Sequence, residues 1–454
     1  MKTQHAKAGE FDPSFNGGRP LRLEFEGYER HLLQGMAAGR DGLIYVSGER
    51  TRGFDFSNSE YFIIALDAQG IRHAGFDRDG VAAGKFFKTD QAGVSVRSEV
   101  FALHYAEGSN PADDRLYLLG QYTYQKNDGP RSTYPAVACY LIDGSPDTAF
   151  GTNGICIFAG LEGDSVPSFA SPEPAGSTTT NSESRELPNR DATIRWSAYG
   201  GRFYIQGLSS DHRRVLLISI DFRGVVDWNF GVNGVQVVER GLQFVPFGMF
   251  INTDGIYLCG RTFTDEVLWL FQATIARLDH RGVVDASYGS NGFQDFVVGT
   301  EHAELHSLVP LSPEYFITAG YARRGDPSGP VFVFVPLLLS CDDRGGVNPG
   351  FNGGSPVLIE GAPGGWRDLA VDADALTVLG SGSDGGFIGR FLHSGQMDSS
   401  FASGAGLRRL TELPSDVRLM NLMVRPDRSI VFLGWGAISS ERLSAGVIGV
   451  LTGQ

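Results

Sequence analysis

The chain has little of what most folds and catalysts use. It has no run of about 18 apolar residues, so no membrane-spanning helix is expected. Met1-Lys-Thr-Gln-His-Ala-Lys7 lacks the apolar core of a cleavable signal peptide. The expected location is therefore the cytoplasm, or outside by a route not written at the N-terminus. Cys139, Cys156, Cys259 and Cys341 are too widely spaced for a zinc pattern or a disulfide framework. Buried free thiols in a reducing compartment are the expectation. No stretch keeps a 3.6-residue apolar period, which excludes long amphipathic helices. There is also no nucleophile elbow, no phosphate-cradling glycine loop before a helix and no suggestive Cys–His spacing. No cofactor is implied. Basic residues are outnumbered: the net charge of −14 argues against nucleic acid and anionic membranes as partners.

What the chain has instead is a repeat. Ser219-Ile-Asp-Phe-Arg-Gly-Val-Val-Asp-Trp-Asn-Phe-Gly-Val-Asn-Gly234 runs from a short apolar strand through a glycine turn to an Asp, an aromatic and a second glycine. The aromatic recurs as Phe15, Phe76, Phe150, Phe230, Tyr288, Phe351 and Phe401. Three residues earlier stand Asp12, His73, Asp147, Asp227, Asp285, Asn348 and Asp398. Six residues earlier stand Gly9, Gly70, Gly144, Gly224, Gly282, Gly345 and Gly395. Glycine supplies a positive φ, and Asp or Asn can accept from a backbone N–H two residues on. The aromatic is the apolar mass that such a polar turn otherwise lacks, and it should plug a seam between units.

A second signal lies within each unit, a strand ending in glycine: Leu43–Gly48, Leu116–Gly120, Phe203–Gly207, Ile256–Gly260, Phe316–Gly320, Leu376–Gly380 and Ile430–Gly434. We term this strand C. Strand D is the apolar run before each anchor turn, strand A follows the anchor, and strand B precedes the hairpin into C. Looking for such periods first decides the fold. The anchor pattern resembles the delta-60 type of bacterial repeat, which implies a β-propeller and carries no catalytic motif. The expected architecture is all-β: a seven-bladed propeller of four-stranded antiparallel blades over residues 9–454, after a flexible tail at 1–8. The N- and C-terminal segments should complete one blade, because a closed ring leaves no raw sheet edge. A monomer is expected.

The longest insertion, Gly160–Arg190, is rich in Ser, Thr, Pro and Glu and reads as a mobile loop between strands A and B. Others fall at 49–60, 122–134 and 321–330, between strands C and D. In a meander these emerge on one face, which predicts a binding face opposite the plain anchor turns.

For chemistry, Glu301-His-Ala-Glu-Leu-His306 stands out. On a strand, His302, Glu304 and His306 would share a face, where a weak binding, metal or acid–base site is conceivable. Asp77-Arg-Asp-Gly80 lacks most of a calcium loop and reads as turn chemistry. Trp196, Trp228, Trp269, Trp366 and Trp435 could stack on sugars, although Trp228, inside an anchor turn, reads as blade packing. The function expected is non-catalytic binding or scaffolding of a protein or glycan partner. The alternatives are a hydrolase- or lyase-type enzyme at a central channel mouth, where strands A would converge, and a lectin.

Overall fold

The computed structural model describes residues 7–53, 59–89, 93–126, 131–158, 195–208, 214–240, 243–265, 270–299, 302–325, 333–362, 364–437 and 444–453. The insertion at 160–190 lies outside them, as do Trp269, Glu301 and parts of the other three insertions. Among the described residues every regular element is a strand, apart from three short 3-10 turns.

In chain order the strands are β1 (Leu21–Leu23), β2 (Arg30–Ala38), β3 (Ile44–Thr51), β4 (Glu60–Leu66) and β5 (Val81–Gly84). Next come β6 (Val94–Ala106), β7 (Arg115–Lys126), β8 (Arg131–Leu141), β9 (Ile155–Ile157), β10 (Arg195–Tyr199), β11 (Arg202–Leu208), β12 (Val215–Asp221) and β13 (Val235–Val238). Then follow β14 (Phe244–Asn252), β15 (Gly255–Asp265), β16 (Leu270–Leu278), β17 (Phe293–Phe296), β18 (His302–Pro310), β19 (Tyr315–Arg324), β20 (Val333–Asp342) and β21 (Val357–Leu358). The last are β22 (Gly365–Val371), β23 (Ala375–Gly382), β24 (Gly385–Leu392), β25 (Leu407–Arg409), β26 (Arg418–Val424), β27 (Ile430–Ala437) and β28 (Ser444–Leu451).

Five sheets are four-stranded: β6–β9, β10–β13, β14–β17, β18–β21 and β22–β25, each a sequential antiparallel meander. A sixth is eight-stranded and mixed. One half is the meander β2–β5; the other is β26–β27–β28 with β1 antiparallel to β28, Leu21 opposite Ile448. A single parallel bridge, Arg30 to Ser444, joins the halves.

The grouping differs from the expected order A–B–C–D. Each sheet runs B–C–D–A, so the strand after an anchor pairs back onto the strand before it. The anchor turn is too short to carry the chain to a new sheet. It folds like a wide hairpin, with Cys139 N–H donating to Gly154 at 2.9 Å and Asp147 N–H to Cys139 at 2.9 Å. The crossing to the next sheet comes after A instead.

The anchor turns behave as their residues require. The carboxylate or amide oxygen three places before the aromatic accepts from the N–H two residues on: Ser14 to Asp12 (2.8 Å), Ala149 to Asp147 (3.1 Å), Gly350 to Asn348 (2.9 Å) and Ser400 to Asp398 (2.9 Å). All seven anchor aromatics are buried. Six of the seven turns also hook the next. Asn16 N–H donates to Gln69 (3.0 Å), Asp77 to Asp143 (2.6 Å), Gly231 to Arg281 (2.9 Å), Asn352 to Ser394 (2.8 Å) and Ala402 to Ala8 (3.0 Å). The glycine of the receiving turn lies over the ring of the giving one, as Gly70 over Phe15 and Gly9 over Phe401, with φ of +79° and +86°. Ala8, which the sequence pattern leaves in a tail, is buried by this last contact.

The glycine that ends strand C has a different cause. Six B strands carry a β-bulge: Gln34, Phe101, Phe247, His306, Arg367 and Met420 are the extra residues. The residue before each bulge pairs with the strand-C glycine, for example Leu305 with Gly320. The bulge pushes a carbonyl into that glycine, so a Cβ at Gly320 would overlap the Glu304 oxygen.

Candidate functional site

Strands B, not A, approach one another across the seams, which corrects the expected channel lining. Gly35 of β2 lies against Ala102 and Leu103 of β6. His104 of β6 packs edge-on to Trp196 of β10. Arg195 of β10 donates to the carbonyl of Phe247 of β14, and the Phe247 ring stacks on His306 of β18 at 5.2 Å. Ser307 then reaches Asp368 of β22 at 3.4 Å, and Asp368 accepts from Leu422 N–H of β26 at 2.8 Å. The A strands pair only with D and form the far edge of each sheet.

The predicted trio divides. Glu304 and His306 come together, with His306 Nε2 at 2.8 Å from Glu304 Oε1. His302 turns away, its Nδ1 at the backbone of Phe271 in the preceding sheet. Glu304 is fully buried, and Arg261 of β15 holds its other oxygen at 2.5 Å. The Arg261 guanidinium also faces the rings of Phe247, Phe263 and Phe271. Burial alone would raise the Glu304 carboxyl. Arg261, His306 and the Tyr321 hydroxyl outweigh it and hold the group down at about 2. Burial lowers His306, opposed by Glu304 and assisted by Arg367 and Arg195. A buried carboxylate held between Arg261 and His306 clasps two sheets. It is poorly placed to exchange protons with a substrate. Among the described residues no three His, Cys, Asp or Glu side chains converge on a point that could hold a metal.

Sequence reasoning missed two groups. Asp368 follows the bulge of β22, and burial pushes its carboxyl up to about 6 against the N–H groups of Leu422 and Leu369. Glu99 of β6 occupies the place of Glu304 two residues before the bulge. It pairs with Arg97 at 2.5 Å and accepts from Gln121 at 2.8 Å. Arg97 also reaches Glu49 of β3 at 3.3 Å, and burial pushes Glu49 up to about 7 despite Arg97. No fixed spacing signals the match, because the strand-C glycine lies 21 residues after Glu99 but 16 after Glu304.

Glu49 has a pH consequence. Its folded value lies above the free value of 4.5, so its contribution is full below that and is lost as pH rises toward about 7. Wild type is expected to lose about 2 kcal/mol between pH 5 and pH 8 relative to Glu49→Gln. Parallel denaturation midpoints for the two proteins over that range would refute this.

Trp228 is a correction. It does not pack within a blade: 62% of its surface is exposed, and Val225 and Val232 of the same turn are exposed as well. Trp366 is fully buried.

No protein-family model and no curated protein sequence matches the chain. Solved structures do. Drosophila semaphorin 1a, extracellular domains 1–2, superposes with a TM-score of 0.50 at 10% identity, over 95% of this chain and 88% of that one. The fold is a β-propeller. Trypanosoma rangeli sialidase in complex with sialic acid aligns at a TM-score of 0.42 and 10% identity, over 99% of this chain and 59% of that one. The soluble aldose sugar dehydrogenase of Escherichia coli gives 0.35 and 13%, over 94% and 98%. At these identities the propeller likeness speaks of architecture, not of activity.

Proposed function

We propose that this propeller is a non-catalytic binding scaffold for a protein partner, with seven blades closed through its N- and C-terminal segments. The blade reading rests on the five four-stranded sheets and the two four-stranded halves of the mixed sheet. The pairing of β1 with β28 and the hook from Ala402 to Ala8 support closure. Its anchor turns go with the delta-60 repeats that they resemble.

The single observation carrying the binding reading is the fate of the Glu304–His306 pair. Both side chains are buried, and the carboxylate is neutralised by Arg261 of the neighbouring sheet. The best-formed polar cluster is thus committed to holding blades together. One group favours an enzyme instead: Asp368, partly accessible, beside Ser307 and raised to about 6. A panel of chromogenic glycosides and esters tests this. Wild type is expected to turn over none above background. Turnover that disappears in a folded Asp368→Asn variant would overturn the scaffold reading in favour of a channel-mouth enzyme.

A further inference from the structure

The anchor turns after β12, β16 and β20 differ from the other four in what precedes their glycine. Arg223, Arg281 and Arg344 stand there, where the others have Ala8, Gln69, Asp143 and Ser394. The Arg223 and Arg281 side chains are 83% and 81% exposed; Arg223 donates twice to Asp221 of its own turn, at 3.0 and 2.8 Å, and Arg281 lies 3.5 Å from Asp279 of its own. Such exposed pairs contribute little to stability and leave the guanidinium heads available. The hydrogen bond from Gly231 to Arg281 seats the fourth and fifth turns side by side. Between and beyond the arginines, exposed apolar side chains recur: Val225, Trp228, Val232, Val283 and Val347. Scattered exposed apolar residues need no explanation, but here they share one edge with three arginines on an acidic chain. Trp and Arg are the side chains that dominate binding energy at protein interfaces.

The arc ends in a gap. Six of the seven anchor turns hook the next one through a backbone hydrogen bond. Among the described residues no such bond joins Gly289 to Arg344. A cavity of about 670 Å³ opens at that seam, its lining including Gly289, Gln294, Arg344 and Val347 with the carboxylates of Asp295 and Asp342. At this seam the Gln294 side chain packs against Gly345 of the next turn. The volume falls in the range of ligand clefts.

We infer that this arc, on the anchor-turn side, docks an extended segment of a partner protein in which acidic and apolar residues alternate. Its carboxylates meet the three arginines and its apolar side chains meet Trp228 and the valines. Period-2 alternation gives such a segment one charged and one apolar edge. The inference rests on the binding reading but moves the surface to the anchor-turn side, away from the face that the sequence predicts for binding.

The probe is a fluorescein-labelled nine-residue peptide alternating Glu with Leu, followed by fluorescence anisotropy on the full chain. Its Lys/Leu and Glu/Ser counterparts are the comparisons. The Glu/Leu peptide is expected to bind at least tenfold more tightly than either. Arg223→Glu/Arg281→Glu/Arg344→Glu should weaken it at least tenfold, and Trp228→Ser about fivefold. All four side chains are exposed, so thermal melts should confirm an unchanged fold. No binding by wild type, equal binding of the Lys/Leu peptide, equal binding of the Glu/Ser peptide, or indifference to the arginine changes would each overturn the inference. None of these results bears on turnover, so the scaffold reading stands or falls separately in the Asp368 assay.

Discussion

A chain ending at residue 443 is expected to lose its cooperative unfolding transition. All eight residues of β28 are buried. It is not the outer strand of its sheet, as the position of its sequence suggests, but lies between β27 and β1. Removing it exposes one flank of each and strips Val447, Ile448, Val450 and Leu451 from two apolar clusters that include Phe15, Leu33, Leu419 and Phe432. At about 1.5–3 kcal/mol per large apolar side chain the loss is roughly 6–12 kcal/mol. That is comparable with the whole stability of a typical domain, about 5–15 kcal/mol. Calorimetry should show a broad, low-enthalpy transition, accompanied by binding of a hydrophobic dye before heating. A truncated chain that melts sharply at the wild-type temperature would mean that the pairing of β1 with β28 does not hold the molecule together.

The second large effect concerns Arg261. Replacing it by Ala leaves the Glu304 carboxylate fully buried without its counterion, which should cost about 3–5 kcal/mol. Replacing both residues by Met should cost far less, because neither charge is then desolvated and the stems fill similar volumes. The same pair sets an acid limit. The Glu304 carboxyl is held near 2, below its free value of 4.5, so its contribution is full above about 4.5 and is lost as pH falls toward 2. The double Met variant should lack that component of acid unfolding. If it were as damaged as Arg261→Ala, the pair would have a role beyond clasping two sheets.

Legibility in the sequence followed the range of each interaction. The anchor turn was readable because its chemistry is local: Asp147 satisfies the N–H of Ala149, two residues away. The strand-C glycine was visible as a pattern, but its reason was not. Gly320 is required by a carbonyl at Glu304, sixteen positions earlier, on a strand that bulges. Period-2 reasoning put His302, Glu304 and His306 on one face. It could not foresee that Phe271, from the sheet before, would draw His302 away, or that Arg261 would claim Glu304. Trp228 was misjudged for a related reason. Its place between Asp227 and Asn229 suggested packing, yet Phe230 already fills the seam and leaves the indole outside.

By itself the sequence determined that this is an all-β chain of recurring turns, because strand alternation, glycine placement and Asp capping act within about a dozen residues. Where each sheet begins and ends was decided only in three dimensions. A hairpin-like turn must return to the strand it left, so the sheets came out as B–C–D–A, with B at the seams. Tertiary structure alone also decided which charges are consumed. Whether a carboxylate is a clasp or a reagent depends on the counterion a neighbouring sheet supplies, and no spacing along one strand encodes that.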